Sequence, residues 1–277
     1  MTRLTTYEGS TCIINTVAGL HSATVLFMHG LGDTCDGWRQ QAEEWAQQLP
    51  HTKFILPSAP VQRVTWNGGA AMPSWYDIVG LTERESEECH GIETSRARIT
   101  ELVQKEINEF KIAPSRIVVG GFSQGGALSI WTGLQWSGEK LGGVVCLSGY
   151  LPAASKFKMT EQGKLTPVFH GHGSRDPLIK TRVAEKTKKA ISDQMQSGVK
   201  YEYRIYPHMA HSTCQDEMDD LITFFKSVIP PVTAVSNKLP KEMSVKELKV
   251  ALRAIGLNDA SFIEKSEMIA ALENHEL

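Results

Sequence analysis

Short apolar runs alternate with stretches of helical period from the start of the chain to about residue 229. The runs Cys12–Val17, Thr24–Met28, Lys53–Leu56, Arg116–Gly120, Gly143–Leu147, Pro167–His170 and Lys200–Tyr206 have the length of strands. Several, such as Ile117-Val118-Val119 and Val144-Val145-Cys146-Leu147, are apolar without a break, which is how strands covered on both faces read. Between the runs, the pattern predicts helices over Trp38–Gln48, Glu93–Phe110, Gln124–Gln135, Arg182–Gln196 and Cys214–Val228. Regular alternation of this kind predicts an α/β domain with a mostly parallel sheet flanked by helices.

The texture changes near residue 230. A polar stretch bracketed by Pro230-Pro231 and Pro240 reads as a linker. Beyond it, Ser244-Val245-Lys246-Glu247 has the form of a capping box, in which serine caps a helix start and glutamate reaches back. Val245, Leu248, Leu252 and Ile255 then recur at helical spacing until Gly256, and a second helix is predicted over Lys265–Asn274. The predicted organisation is a large domain over 1–229, a linker over 230–240 and a small helix–turn–helix module over 241–277. A module that short buries little apolar area and needs a surface to lean on.

Composition narrows the function classes. A formal net charge of −2 gives the chain no general attraction to nucleic acid or to anionic lipid. No apolar run reaches the ~18 residues that span a bilayer. The start, MTRLTTYEGS, lacks the pattern of a secretory signal. Five cysteines, with no C-x-x-C pair, argue against a disulfide framework and predict a reduced, cytoplasmic protein.

The chemistry concentrates in GGFSQGGALS, residues 120–129. A phosphate loop would need Lys-Ser/Thr where Gly126-Ala127 stand, and a dinucleotide fingerprint would need glycine where Ser123 stands. G-x-S-x-G between a strand and a helix instead describes a nucleophile elbow, with Ser123 raised over a helix N-terminus. Such a serine is followed along the chain by an acid and then a histidine. Asp176, after the strand at 167–170, is the candidate acid, in preference to the mid-helix Asp193; its competing reading is a helix cap before Pro177. His211 and His208 both follow the last strand, and spacing leaves both open. The backbone N–H groups of Gln124 and of Leu31, in the His29-Gly30-Leu31-Gly32 loop, are the candidate oxyanion donors. For Gln124 the side chain is expected to be dispensable. His29, His170 and His172 lack converging acidic or cysteine partners and read as hydrogen-bonded structural histidines, so no metal is predicted.

Five stretches, VLFMHGLGDTCDGW (25–38), AMPSWYDIVGL (71–81), RIVVGGFSQGGALS (116–129), HGHGSRDPLI (170–179) and HMAHSTCQDEM (208–218), together resemble the acyl-protein thioesterases, in the lysophospholipase/carboxylesterase group of α/β-hydrolases. The resemblance spans about residues 20 to 230. It implies an α/β-hydrolase fold, no cofactor, and a Ser123–Asp176–His211 triad, so that His211 rather than His208 is the base. It also implies Leu31 and Gln124 as oxyanion donors. Family members remove long acyl chains from protein cysteines, and many also cleave lysophospholipids and small esters. By the same resemblance Met72, Trp75, Ile78 and Leu178 are candidates to line an acyl channel, with Val79 and Leu81 beside them. Two departures stand out: Leu147-Ser148-Gly149-Tyr150-Leu151-Pro152 has Gly-Tyr where relatives carry tryptophan, and the N-terminal stretch has no cysteine to acylate. The C-terminal stretch resembles a SAP-like module. Such modules often bind DNA, but six Lys/Arg against seven Asp/Glu from Lys238 to Leu277 favour a protein partner.

Overall fold

The computed structural model describes residues 4–17, 21–80, 89–231, 240–254, 257, 262 and 264–273. Eight strands form one sheet in the order β1-β2-β4-β3-β7-β8-β9-β10. The strands are β1 (Thr5–Glu8), β2 (Thr11–Ile14), β3 (Ala23–Met28), β4 (Thr52–Pro57), β7 (Ile117–Phe122), β8 (Gly143–Leu147), β9 (Val168–Gly173) and β10 (Tyr201–Tyr206). From β4 to β10 every pairing is parallel, while β1 and β2 form an antiparallel edge. The strands β5 (Val61–Val64) and β6 (Ala70–Pro73) make a separate antiparallel hairpin.

Neighbouring residues of each central strand serve different cores, because side chains alternate across a sheet. Leu26, Val119 and Val144 pack with the helices α2 (Ile92–Asn108), α3 (Gln124–Gly133) and α4 (Thr181–Ser192). Their neighbours Val25, Phe27, Val118 and Val145 pack with α1 (Arg39–Gln48) and α5 (Gln215–Val228) on the other face. Each fully buried side chain of this size contributes about 1.5–3 kcal/mol. The unbroken apolar runs are thus explained by cover on both sides, the layered arrangement of an α/β-hydrolase.

All the predicted central strands form, with ends shifted by a few residues. The sequence reading passed over β1, an edge strand with three exposed residues, and the β5–β6 hairpin, whose residues are mostly exposed or half-buried.

At the C-terminus, α6 (Val245–Ala254) and α7 (Lys265–Glu273) pack on each other around Met243, Leu248, Leu252, Met268 and Leu272. The capping box is formed: Glu247 Oε2 accepts from the Ser244 N–H at 2.6 Å, and Ser244 Oγ from the Glu247 N–H at 3.3 Å. Val245, expected on the apolar face, is instead 44% exposed, since at the first helical position it lies above the buried seam. Ile255, Gly256, Asn274 and the linker residues 232–239 lie outside the described residues.

Candidate active site

Strand β7 ends at Phe122 and helix α3 starts at Gln124, so Ser123 alone makes the turn. Its φ of 53° and ψ of −117° are strained for a residue with a side chain, and such strain persists where the surroundings over-determine it. A Cβ on Gly121 would lie 2.5 Å from the Gly125 carbonyl, and one on Gly125 would run into the carbonyl oxygens of Met28 and His29. Strand, elbow and helix therefore approach more closely than any side chain permits. The Ser123 N–H donates to Leu147 O at 2.8 Å, and its carbonyl accepts from the Ala127 N–H at 2.9 Å. The Gln124 N–H, in the first turn of α3, is one of the donors that a helix cannot satisfy internally.

Elements distant in sequence meet at this turn. His211, in the loop after β10, brings Nε2 to 2.8 Å from Ser123 Oγ and Nδ1 to 2.7 Å from Asp176 Oδ2. Its ring lies 5.0 Å from that of Phe122. Burial pushes the Asp176 carboxyl up, but the hydrogen bond and charge of His211 and the N–H groups of Ile179 and Leu178 outweigh it, so the group is held below its ordinary value. An ionised carboxylate only accepts, so the imidazole carries its proton on Nδ1 and turns the Nε2 lone pair to the serine. Asp176 Oδ1 accepts from both the Leu178 and Ile179 N–H groups at 2.8 Å, which closes a local turn and leaves Oδ2 to His211. No helix begins at Pro177, so the helix-cap reading of Asp176 does not hold. Helix α4 itself starts further on, at Thr181.

The other candidates fall elsewhere. His208 is exposed on a left-handed turn, with φ 63°. Asp193 pairs with Lys189 on the surface at 2.7 Å. His29 donates from Nδ1 to Gly30 O and accepts at Nε2 from the Ala59 N–H, His170 bonds the Tyr201 hydroxyl, and His172 bonds Ile179 O. Among the described residues no three His, Cys, Asp or Glu side chains converge as metal ligands do.

Ser123 and His211 open onto a cavity of about 410 Å³. Leu31, Met72, Ile78, Leu178 and Tyr150 line it, and Gln124 lies at its base. Leu31 and Gln124 thus border the same cavity as Ser123. Trp75, expected in the channel wall, is not among the lining residues. It is fully buried, with its ring 5.1 Å from His29 and its Nε1–H donating to His29 O at 2.8 Å. An apolar stretch read one residue at a time does not reveal that an indole needs a partner for its N–H. Val79 is exposed away from the wall, and Leu81 lies outside the described residues. Trp66, Asn67, Phe122 and Ile179 also line the cavity; the turn signal Asn67-Gly68-Gly69 was the available clue to the first two. Tyr150 forms part of the wall, its hydroxyl 2.6 Å from that of Tyr76.

The Gln124 side chain, expected to be dispensable, is 1% exposed and fully engaged. Oε1 accepts from the Trp75 N–H at 2.9 Å, and Nε2 donates to Tyr76 O at 2.7 Å and to Ser74 Oγ at 3.1 Å. The amide was invisible in sequence because its partners lie about fifty positions away.

Comparison with known proteins gives the family and the fold. Residues 11–229 match the family model described as phospholipase/carboxylesterase. The chain is 40% identical over 229 residues to acyl-protein thioesterase 1 of Neurospora crassa, covering 79% of this chain and 91% of that one. It is 41% identical over 212 residues to acyl-protein thioesterase 1 of Saccharomyces cerevisiae, covering 73% and 91%. The crystal structure of Zea mays acyl-protein thioesterase 2 superposes with a TM-score of 0.70 at 26% identity, over 80% of this chain and all of that one. The chain belongs to the phospholipase/carboxylesterase family of α/β-hydrolases.

Proposed function

We propose that this protein hydrolyses long-chain acyl thioesters on protein cysteines, with Ser123 as nucleophile, His211 as base and Asp176 as its orienting acid. The observation that carries the reading is the unbroken row of hydrogen bonds from Asp176 through His211 to Ser123 at the base of a largely apolar cavity. His211 Nε2 takes the hydroxyl proton as Oγ attacks the acyl carbonyl, and Asp176 stabilises the imidazolium that forms. The N–H groups of Leu31 and Gln124 hold the oxyanion. Collapse of the tetrahedral adduct breaks the C–S bond. A cysteine thiol has a pKa of about 8.5, so the thiolate departs with little help, and the proton on His211 passes to it. Water then gives a proton to His211, attacks the acyl-enzyme and releases the fatty acid, and Ser123 regains its proton.

Similarity to proteins named acyl-protein thioesterase 1 supports the thioester substrate. The family description, phospholipase/carboxylesterase, supports phospholipids as a second substrate class, and a lysophospholipid would offer the largely apolar cavity a single acyl chain, as a thioester does. Five free cysteines, four of them buried, support a reducing, cytoplasmic setting. The separate apolar cluster of α6 and α7 supports a division of the chain at 230–240, with the terminal pair as a SAP-like module that meets a protein partner.

A fluorophosphonate probe tests the nucleophile directly. Wild-type protein is expected to be labelled once per chain and Ser123→Ala not at all; equal labelling of the variant would sink the assignment.

A further inference from the structure

We infer that the Gln124 side chain is a positioning residue for the oxyanion site: it fixes the Leu31 N–H by clamping residues 73–76 to the elbow. This rests on the reading of Ser123 and its oxyanion donors given above. The Leu31 loop is tied to that segment on both flanks. On one side His29 O accepts from the Trp75 Nε1–H at 2.8 Å. On the other the Gly32 N–H donates to Pro73 O at 2.9 Å. Leu31 therefore lies in a short stretch, His29 to Gly32, whose two ends both hang from residues 73–75.

Gln62 Nε2, donating to Ser74 O at 2.6 Å, and the Ser74 N–H, donating to Pro60 O at 3.0 Å, hold that segment from the β5 side, and Gln124 supplies its tie to the elbow. Gln124 uses its carbonyl oxygen on the Trp75 N–H and both amide hydrogens on Tyr76 O and Ser74 Oγ. The Ser74 hydroxyl closes the group by donating to Tyr76 O at 2.7 Å. Every polar hydrogen of the amide has a partner in a site shut off from water, so its loss strands several buried groups at once. Ser95 Oγ adds a hydrogen bond to Trp75 O from helix α2, which pins the far side of the segment but does not reach the elbow.

The arrangement gives Gln124 two linked tasks. Its backbone N–H is one oxyanion donor, and its side chain sets the distance to the other. The two donors must face one oxygen about 2.7–3.1 Å away, and an error of about 1 Å in such a constellation costs on the order of 10²-fold in rate. A glutamine meets the need because it offers an acceptor and two donors on one planar group. Glutamate keeps the shape but turns an oxygen toward Tyr76 O, and methionine keeps the length but offers neither.

The test uses the full chain carrying Gln124→Met, Trp75→Phe or both, with Ser123→Ala alongside. Trp75→Phe keeps an aromatic ring in the core and deletes the bond to His29 O, at the cost of a small void that the melting temperature reads. Steady-state kcat and KM are measured on a soluble long-chain acyl thioester, and melting temperature on the same samples. The expected result is a fall in kcat of about 10- to 100-fold in Gln124→Met with KM little changed. Trp75→Phe falls in the same direction, and the double variant is no slower than the slower single, because both act through one link. Wild-type kcat in either folded single variant overturns the inference, as does a double variant in which the two losses multiply. If Gln124→Met does not fold, Trp75→Phe decides alone. An inactive Ser123→Ala beside a fully active Gln124→Met rejects this inference only; an active Ser123→Ala rejects the nucleophile reading beneath it.

Discussion

The two oxygens of Asp176 have separate partners, Leu178 and Ile179 N–H groups on Oδ1 and His211 Nδ1 on Oδ2. Asp176→Asn leaves the shape but can present an amide N–H to the imidazole and so favour the wrong tautomer. Turnover is expected to fall about 10⁴-fold, by analogy with the serine-protease triad; a kcat within ten-fold of wild type, measured on a folded variant, would count against the orienting role. The same carboxyl has a depressed folded value. It contributes stability that is present above its unfolded pKa of about 3.9 and is lost as pH falls through the lower folded one. Glu217 behaves oppositely. It is fully buried, neither oxygen has a hydrogen-bond partner among the described residues, and burial, aided by Asp220, pushes its carboxyl up to about 8. Above about pH 4.5 the unfolded chain gives up this proton while the folded one keeps it, so stability declines as pH rises toward 8. Glu217→Gln should therefore gain in melting temperature over wild type between pH 5 and pH 8. A difference that stays constant across that range would show that Glu217 is already ionised in the folded protein.

At the scale of elements, the elbow works because β3, β7 and α3 converge where Gly121 and Gly125 have no side chains. Gly125→Ala pushes a methyl group into the Met28 and His29 carbonyls. The turn must then open, and a joint loss of turnover and melting temperature is expected; an alanine variant with wild-type values for both would refute the close approach. The sequence made this element legible, since a strand, a glycine-flanked serine and a helix are adjacent in the chain. The histidine and aspartate were legible as a pair of loops after late strands, but choosing His211 over His208 needed the family resemblance. Trp75 and the Gln124 side chain were misjudged for a shared physical reason. Each is fixed by hydrogen bonds to residues far off in sequence, and hydrophobic patterning carries no trace of such bonds. The β5–β6 hairpin was passed over because strands that lie mostly in solvent have no core face to set a period of two.

The whole molecule is a sheet with two covered faces plus a terminal helix pair. Continuous apolar strands foretold the first, and the capping box and helical spacing after residue 240 foretold the second. None of the described terminal residues lines the cavity at Ser123, and the pair has an apolar cluster of its own. A chain ending at residue 231 is accordingly expected to keep wild-type kcat/KM on a soluble thioester; a large loss would mean that the terminal pair completes the catalytic unit. Among the described residues no helix is long and apolar enough to cross a membrane. The most direct test of the central claim is a kcat/KM series over acyl thioesters and matched oxyesters of increasing chain length, run on wild type and Ser123→Ala. Values that rise with chain length, favour the thioester at each length and vanish in Ser123→Ala are predicted. Values that peak at acetyl and decline with length, or that survive the loss of Ser123, would contradict the account.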